Sequence, residues 1–280
     1  MRFLDRLDKA FRTNQSLLCV GLDPDPELMP VSNVLSFNRA IIDATANSVC
    51  AYKPNLAFYE ALGIAGLKAL EGTVAHIRSV APDVLVIGDS KRGDVGSTSR
   101  KYAQAMFDVW GFDATTVNAY GGGESIDPFL ERKDKGIIIW CRSSNPGASE
   151  FQDQSIAGTD QALFEHVAKA ANSWNHHGNV CLVVGATYPE QLATIRELSP
   201  DLPILLPGIG AQGGDLQASV KAGVDVNGRN LMVSSSRGIL YASDDPKTFG
   251  QAAATSARKL RDSINTILDE DNKGWRKTTS

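Results

Sequence analysis

The chain has 280 residues, of which 42% are hydrophobic and 21% are charged, and its formal net charge at pH 7 is −4. This is the composition of an ordinary globular protein with enough apolar residues for a large core. The sequence has no basic stripe, which argues against nucleic acid as a partner, and it has no apolar stretch long enough to span a membrane.

Short apolar runs typical of strands alternate with longer helical patterns along the whole chain. Eight strands are predicted, at Leu17–Leu22, Ser48–Lys53, Val84–Asp89, Ala114–Asn118, Gly136–Cys141, Asn179–Val184, Pro203–Pro207 and Asn230–Ser234. Helices are predicted before, between and after them, at Arg2–Arg12, Phe37–Asn47, Phe58–Val80, Thr98–Trp110, Gly123–Arg132, Gln161–Asn175, Tyr188–Leu198, Asp215–Ala222 and Lys247–Leu268.

This alternation of strands and helices indicates parallel strands joined by crossover helices. Eight such units without a linker favour a closed (β/α)8 TIM barrel over an open sheet. We therefore expect residues 1–280 to form one α/β barrel domain, with a helix before the first strand and a polar, frayed tail at 269–280.

The cysteine and histidine positions indicate neither a disulfide framework nor a metal site. Cys19, Cys50, Cys141 and Cys181 lie in or beside apolar runs, without the spacing of metal ligands. We expect them to be buried thiols in a reducing compartment. The first fifteen residues lack the apolar core of a signal peptide, so a cytoplasmic location is expected.

Charged residues follow the first three predicted strands. Asp23 follows the first, Lys53 ends the second, and Asp89 and Lys91 lie at the exit of the third. Asp89 and Lys91 are two residues apart and should share one face of their strand. Because a barrel carries its active site at the C-terminal ends of its strands, all four should converge at one mouth. A purely structural network of ion pairs is disfavoured, because buried ion pairs are poor stabilisers.

The segments after strands seven and eight predict a phosphate site. Pro207–Asp215 reads PGIGAQGGD, and its glycines would expose backbone N–H groups to an anion at the start of a helix. A dinucleotide-binding fold is disfavoured, because this segment follows the seventh strand instead of the first. Ser236 and Arg237 follow the eighth strand and offer a hydroxyl and a guanidinium. We therefore expect a phosphorylated substrate.

A polar loop, Ser143–Ala148, follows the fifth strand. Its hydroxyl and amide groups are suited to reading the edge of a polar ring. The same composition is also typical of an ordinary turn, and the residues alone leave both interpretations open.

Six motifs together resemble the orotidine 5′-phosphate decarboxylase family, in particular its longer bacterial branch. They are GLDPDP, YKPN, DSKRGD, SNPG, PGIGAQGGD and the SRG after the last strand, and the resemblance covers residues 17–241. It implies a lyase on a TIM barrel that decarboxylates orotidine 5′-phosphate to uridine 5′-phosphate in pyrimidine biosynthesis, without a cofactor.

The resemblance also implies roles for the charged residues. Lys91 would donate the proton to C6 of the pyrimidine, and Asp89 would lie beside the carboxylate that is lost. Lys53 would bridge Asp89 and the ribose hydroxyls, and Asp23 would contact the ribose or a lysine.

Further residues are assigned in the same way. Ser144 matches the residue that reads the pyrimidine edge, and Gln212 and Arg237 match phosphate contacts. Asp94 and Thr98 match residues that enter the site of the partner subunit, so a homodimer with shared active sites is implied.

Two other functions stay open. One is a phosphosugar enzyme such as hexulose-phosphate synthase or keto-gulonate phosphate decarboxylase, which shares the Asp-x-Lys-x-x-Asp motif but uses magnesium. Lys53 at the end of strand two disfavours a metal there. The other is a non-catalytic barrel that binds a phosphorylated metabolite, which would need no cluster of charges.

Overall fold

The computed structural model describes residues 1–209 and 215–275. Its eight strands are parallel and form a closed barrel in chain order, with the last strand paired to the first. The strands are β1 (Leu18–Leu22), β2 (Ala51–Pro54), β3 (Leu85–Arg92), β4 (Ala114–Val117), β5 (Gly136–Arg142), β6 (Val180–Val184), β7 (Ile204–Pro207) and β8 (Leu231–Ser235). The predicted (β/α)8 barrel is confirmed, and each strand overlaps the run predicted for it.

The helices lie before, between and after the strands. They are α1 (Phe3–Asn14), α2 (Val34–Thr45), α3 (Leu56–Glu60), α4 (Gly63–Val80), α5 (Gly96–Gln104), α6 (Asp127–Leu130), α7 (Leu163–Trp174), α8 (Pro189–Leu198), α9 (Leu216–Gly223), α10 (Arg237–Leu240) and α11 (Phe249–Glu270). The single helix predicted over Phe58–Val80 is wrong. The chain forms α3 and α4 instead, because Gly63 has a φ of 60°, which interrupts the helical backbone.

The core lies inside the barrel and between the barrel and its helices. The strands are buried along almost their whole length, as expected where helices cover a parallel sheet. All four cysteines are buried, and this burial raises the pKa of each thiol.

Helix α1 covers the N-terminal end of the barrel. The Phe3 ring lies against Gly136 at the start of β5, and Arg6 forms an ion pair with Asp113, just before β4. The opposite end of the barrel, formed by the C-terminal ends of the strands, is not covered by α1 and is open for a site.

The sequence predicted a frayed tail over residues 269–280, and this prediction is wrong for residues 269–275. The guanidinium of Arg229 lies 3.5 Å from the centre of the Trp275 ring, and Trp275 Nε1 donates to Asn265 Oδ1 at 2.9 Å. This cation–π contact and the hydrogen bond hold the chain against α11.

Candidate active site

A cavity of about 650 Å³ opens at the C-terminal ends of the strands. Residues from all eight strands or from the segments directly after them line it. Eight of the predicted site residues are among these, namely Asp23, Lys53, Asp89, Lys91, Ser144, Pro207, Ser236 and Arg237.

The centre of the site is a carboxylate held between two ammonium groups. Asp89 Oδ2 lies 2.9 Å from Lys53 Nζ, and Asp89 Oδ1 lies 2.6 Å from Lys91 Nζ. The side chains of Lys53 and Asp89 are only 6% and 9% exposed, whereas that of Lys91 is 36% exposed. Lys91 is therefore the ammonium group of this trio that is most accessible from the cavity.

Lys53 and Asp89 keep their charges despite their burial. Burial by itself would raise the pKa of Asp89, but Lys53 and Lys91 outweigh it and hold that pKa well below its usual range. Burial would likewise lower the pKa of Lys53, but the carboxylates of Asp89 and Asp23 raise it above its ordinary value. The Lys53–Asp89 pair is thus ionised at neutral pH.

An irregularity in β3 produces this arrangement. The pairing of β3 with β4 shifts between Gly88 and Arg92, and Lys91 has a φ of 48°, in the left-handed region. Thr116 of β4 accepts hydrogen bonds from the N–H groups of Ser90 (2.9 Å) and Lys91 (3.0 Å) and donates one to Asp89 Oδ1 (2.9 Å). Asp89 and Lys91 therefore meet across a bulge, and not by the regular alternation that the sequence predicted. Such a backbone costs about 1–3 kcal/mol and is typical of functional sites.

Asp23 has an unused acceptor at the same mouth. Within the described residues, its Oδ1 is buried and accepts no hydrogen bond. The backbone around it is fixed, because the Tyr241 hydroxyl bonds to the carbonyl of Asp23 and to the N–H of Asp25. A buried acceptor without a donor is costly and indicates a place for a ligand hydroxyl.

The ends of β7 and β8 form the polar side of the cavity that the sequence predicted for phosphate. Pro207, Gly208, Ser236 and Arg237 all line it. Arg237 is exposed and forms no salt bridge with any other described residue. Gln212 lies outside the described residues.

The cavity also has an apolar wall. Val183, Leu205 and Ile209 line it, together with the ring of Trp140, whose centre lies 6.0 Å from Lys91 Nζ. A flat apolar ring with polar edges would fit between this wall and the charged trio.

Asp94 and Thr98 do not line the cavity of their own chain. Asp94 is exposed, and its Oδ1 accepts a hydrogen bond from the N–H of Val95 at 2.7 Å. Thr98 lies in the first turn of α5.

Among the residues that line the cavity, sequence reasoning did not single out Thr116, Trp140 or Tyr241. The two adjacent threonines of β4, Thr115 and Thr116, were the available signal for Thr116. Trp140 and Tyr241 carry no motif, and only the fold brings them to the cavity.

Two further findings bear on the kind of protein this is. Among residues 1–209 and 215–275, no three His, Cys, Asp or Glu side chains are grouped so that they could hold a metal ion. No helix in the same ranges has the length and apolar character needed to cross a membrane.

The sequence matches the model of the orotidine 5′-phosphate decarboxylase / HUMPS family over residues 16–253. The chain belongs to this family. It is 49% identical over 277 residues to the orotidine 5′-phosphate decarboxylase of Thermomicrobium roseum, covering 96% of this chain and 97% of that protein. It is 47% identical over 272 residues to the enzyme of the same name from Dechloromonas aromatica, covering 95% and 99% of the two chains.

Solved structures of the family have the same fold. The Leishmania donovani OMP decarboxylase superposes with a TM-score of 0.85 at 36% identity, covering 95% of this chain and 99% of that one. The UMP synthase of the same organism gives a TM-score of 0.86 at 37% identity, but the chain spans only 56% of that longer protein.

Proposed function

We propose that this protein is an orotidine 5′-phosphate decarboxylase, which acts in pyrimidine biosynthesis and releases CO2 and uridine 5′-phosphate. One observation carries the proposal, namely the Lys53–Asp89–Lys91 trio at the mouth of the barrel, in which Lys53 and Asp89 are buried and Lys91 is accessible from the cavity. The near full-length similarity to enzymes of this name supports it.

Lys91 is the proposed proton donor. Loss of CO2 from C6 leaves a carbanion in the plane of the ring, which the π system cannot delocalise. An ammonium fixed where this charge develops stabilises the transition state and then supplies the proton. Lys91 suits this role, because its ammonium is anchored on Asp89 and is reachable from the cavity.

The neighbouring charges are proposed to orient the substrate. Asp89 would lie beside the carboxylate that is lost, and Lys53 would hold Asp89 and contact the ribose hydroxyls. The buried Oδ1 of Asp23 would accept a hydrogen bond from a ribose hydroxyl or a lysine.

The two ends of the substrate would bind to opposite parts of the mouth. Arg237, Ser236, Pro207 and Gln212 are proposed for the phosphate. Ser144, on the segment after β5, is proposed for the polar edge of the pyrimidine. Binding energy from the distant phosphate then becomes available to the reaction at C6.

We also propose a homodimer with shared sites. Asp94 and Thr98 would enter the cavity of the partner subunit. Val95 and Tyr120 are 62% and 87% exposed, and their segments adjoin, since Asn118 N–H donates to the Arg92 carbonyl at 2.9 Å. An exposed apolar pair beside Asp94 suits a two-fold interface.

The reaction is proposed to need neither a metal nor an organic cofactor. The family model also covers enzymes of the HUMPS type, so a magnesium-dependent phosphosugar enzyme is the second candidate. Lys53 opposes it, because an ammonium at the centre of the mouth would repel a divalent cation.

An ultraviolet assay of purified protein for loss of orotidine 5′-phosphate tests this proposal. We expect turnover that EDTA does not reduce. Absence of turnover would contradict the proposed reaction. Activity that is lost in EDTA and restored by magnesium would favour metal chemistry instead.

A further inference from the structure

Arg142, the last residue of β5, is a buried cation behind the wall of the cavity. Its relative exposure is only 1%. Its Nε donates to Gln191 Oε1 at 2.8 Å, its Nη2 donates to Asp153 Oδ2 at 3.1 Å, and its Nη1 donates to the Ser143 carbonyl at 2.9 Å. The guanidinium carbon also lies 5.0 Å from the centre of the Tyr188 ring.

These partners come from two separate parts of the chain. Asp153 belongs to the segment between β5 and α7, whereas Gln191 lies in the first turn of α8. Gln191 Nε2 donates to Asp153 Oδ1 at 3.4 Å, so Arg142, Asp153 and Gln191 form a closed network. Only the Arg142 side of the ion pair is buried, since the Asp153 side chain is 32% exposed, and such a pair contributes little net stability. Stability alone therefore does not account for the network.

Besides the direct bond from Arg142 to the Ser143 carbonyl, the amide oxygen of Gln152 links the network to the wall of the cavity. Gln152 Oε1 accepts hydrogen bonds from both Arg142 Nη1 (3.3 Å) and the N–H of Ser143 (2.8 Å). Ser143 Oγ in turn accepts from the N–H of Asn145 at 3.1 Å. Ser143, Ser144 and Asn145 all line the cavity. The guanidinium therefore holds the backbone that carries these three side chains.

Close packing against Gly185, the residue that follows β6, also supports this segment. A Cβ on Gly185 would lie 2.6 Å from the backbone nitrogen of Ser144 and 2.7 Å from its Cα. The N–H of Gly185 also donates to the Arg142 carbonyl at 2.9 Å. Ser144 is thus in direct contact with the backbone of Gly185, and the Arg142 network holds the residue before it, Ser143, by hydrogen bonds.

We propose that Arg142 is a positioning residue for the wall that recognises the pyrimidine ring. With Asp153 and Gln191 it fastens segment 143–153 over the end of β5, so that Ser144 and its neighbours meet the ring edge. Arg142 does not itself line the cavity and acts only through this segment. The inference rests on the proposed function, since the ring is that of the proposed substrate.

The test compares two ligands that share a phosphate and a ribose but differ in the ring. Uridine 5′-phosphate carries the pyrimidine, and ribose 5-phosphate does not. We expect Arg142→Met to weaken uridine 5′-phosphate by at least about tenfold, the order expected when hydrogen bonds to a ring edge are misplaced. Ribose 5-phosphate should stay within about twofold of the wild type, measured by calorimetry or by competition with turnover.

Other variants separate positioning from general damage. Asp153→Asn and Gly185→Ala should each cause the same selective loss of affinity for uridine 5′-phosphate, the first by removing a charge and the second by adding a methyl group against Ser144. Arg142→Lys should keep part of the affinity that Arg142→Met loses. The double variant Arg142→Met with Asp153→Asn should bind no worse than Arg142→Met alone, since the two groups act through one network. Because Asp153 is partly exposed, its variant keeps the test decisive even if Arg142→Met does not fold.

Arg132→Met is the matched control. Arg132 forms a two-bond pair with Asp108 (2.9 and 2.7 Å) outside the cavity, so its loss should change neither affinity. Equal losses for the two ligands, no loss for uridine 5′-phosphate, or additive losses in the double variant would overturn the inference. If the wild type neither binds uridine 5′-phosphate nor turns over orotidine 5′-phosphate, the proposed function fails as well. If the wild type is active but the variants show no ring-selective loss, only the inference about Arg142 is overturned.

Discussion

The Tyr241 hydroxyl donates a hydrogen bond to the backbone carbonyl of Asp23 at 2.8 Å. It also accepts one from the N–H of Asp25 at 2.7 Å, so one phenol closes the turn after β1. Burial raises the pKa of Tyr241 to about 12, and the hydroxyl therefore remains a donor at neutral pH. This contact links the ribose side of the mouth to Arg237, four residues earlier in the chain.

Tyr241→Phe should lower kcat/KM for orotidine 5′-phosphate by about tenfold, because a lost buried hydrogen bond costs roughly 1–2 kcal/mol and would loosen Asp23. Tyr59→Phe is the matched control, since its hydroxyl accepts from Asn38 Nδ2 at 2.9 Å in a buried position that does not line the cavity. It should lower stability without the same loss of kcat/KM. Similar kinetic losses in both variants would argue against a local role for Tyr241.

Lys91→Ala should abolish turnover while uridine 5′-phosphate still binds. A general acid contributes roughly 100-fold or more, so single-turnover measurements should detect less than about a tenth of the wild-type rate. Lys169→Ala, on the exposed face of α7, should leave the rate unchanged. A rate above that limit in Lys91→Ala would remove Lys91 from the role of proton donor.

Arg237→Ala should weaken orotidine 5′-phosphate far more than the unphosphorylated nucleoside. A charge-assisted contact contributes about 1.5–3 kcal/mol, so the phosphate ester should lose roughly 10- to 150-fold in affinity. Arg258→Ala, an exposed arginine of α11, provides the control for a general change of charge. If the nucleoside loses as much as the nucleotide, Arg237 does not bind the phosphate.

Asp89→Asn should destabilise the protein in a way that depends on pH. The pKa of Asp89 is lower in the folded than in the unfolded state, so its ionised form contributes stability above its unfolded pKa, about 4. That contribution is lost as the pH falls toward the folded pKa. Removal of one buried partner costs roughly 3–5 kcal/mol at pH 7. Urea unfolding should show this difference at pH 7 and a smaller one at pH 3.5, and an equal difference at both would contradict the assignment.

Complementation tests the shared site. Inactive Asp94→Ala and Lys91→Ala proteins are mixed and their subunits are allowed to exchange. A mixed dimer would hold one site with both substitutions and one site with neither, so activity should reappear. Mixed dimers that form and remain inactive would mean that Asp94 serves its own subunit.

Local patterns in the sequence were sufficient for the architecture. Most strands are apolar runs and the long helices are periodic stretches, and the eight strands close into one barrel. The charges at the strand exits were also predictable as neighbours, because parallel strands end at one mouth. Lys53, Asp89 and Lys91 therefore meet as expected.

The contacts that shape the mouth depend on residues far apart in sequence, and only the tertiary structure decides them. Thr116 lies 27 residues from Asp89, and Tyr241 lies 218 residues from Asp23, yet both pairs are in hydrogen-bond contact. The bulge at Lys91 arises from pairing with β4, which no pattern within β3 encodes. Composition and periodicity determine which segments become strands and which ends carry charge, whereas the register between strands determines which side chains touch.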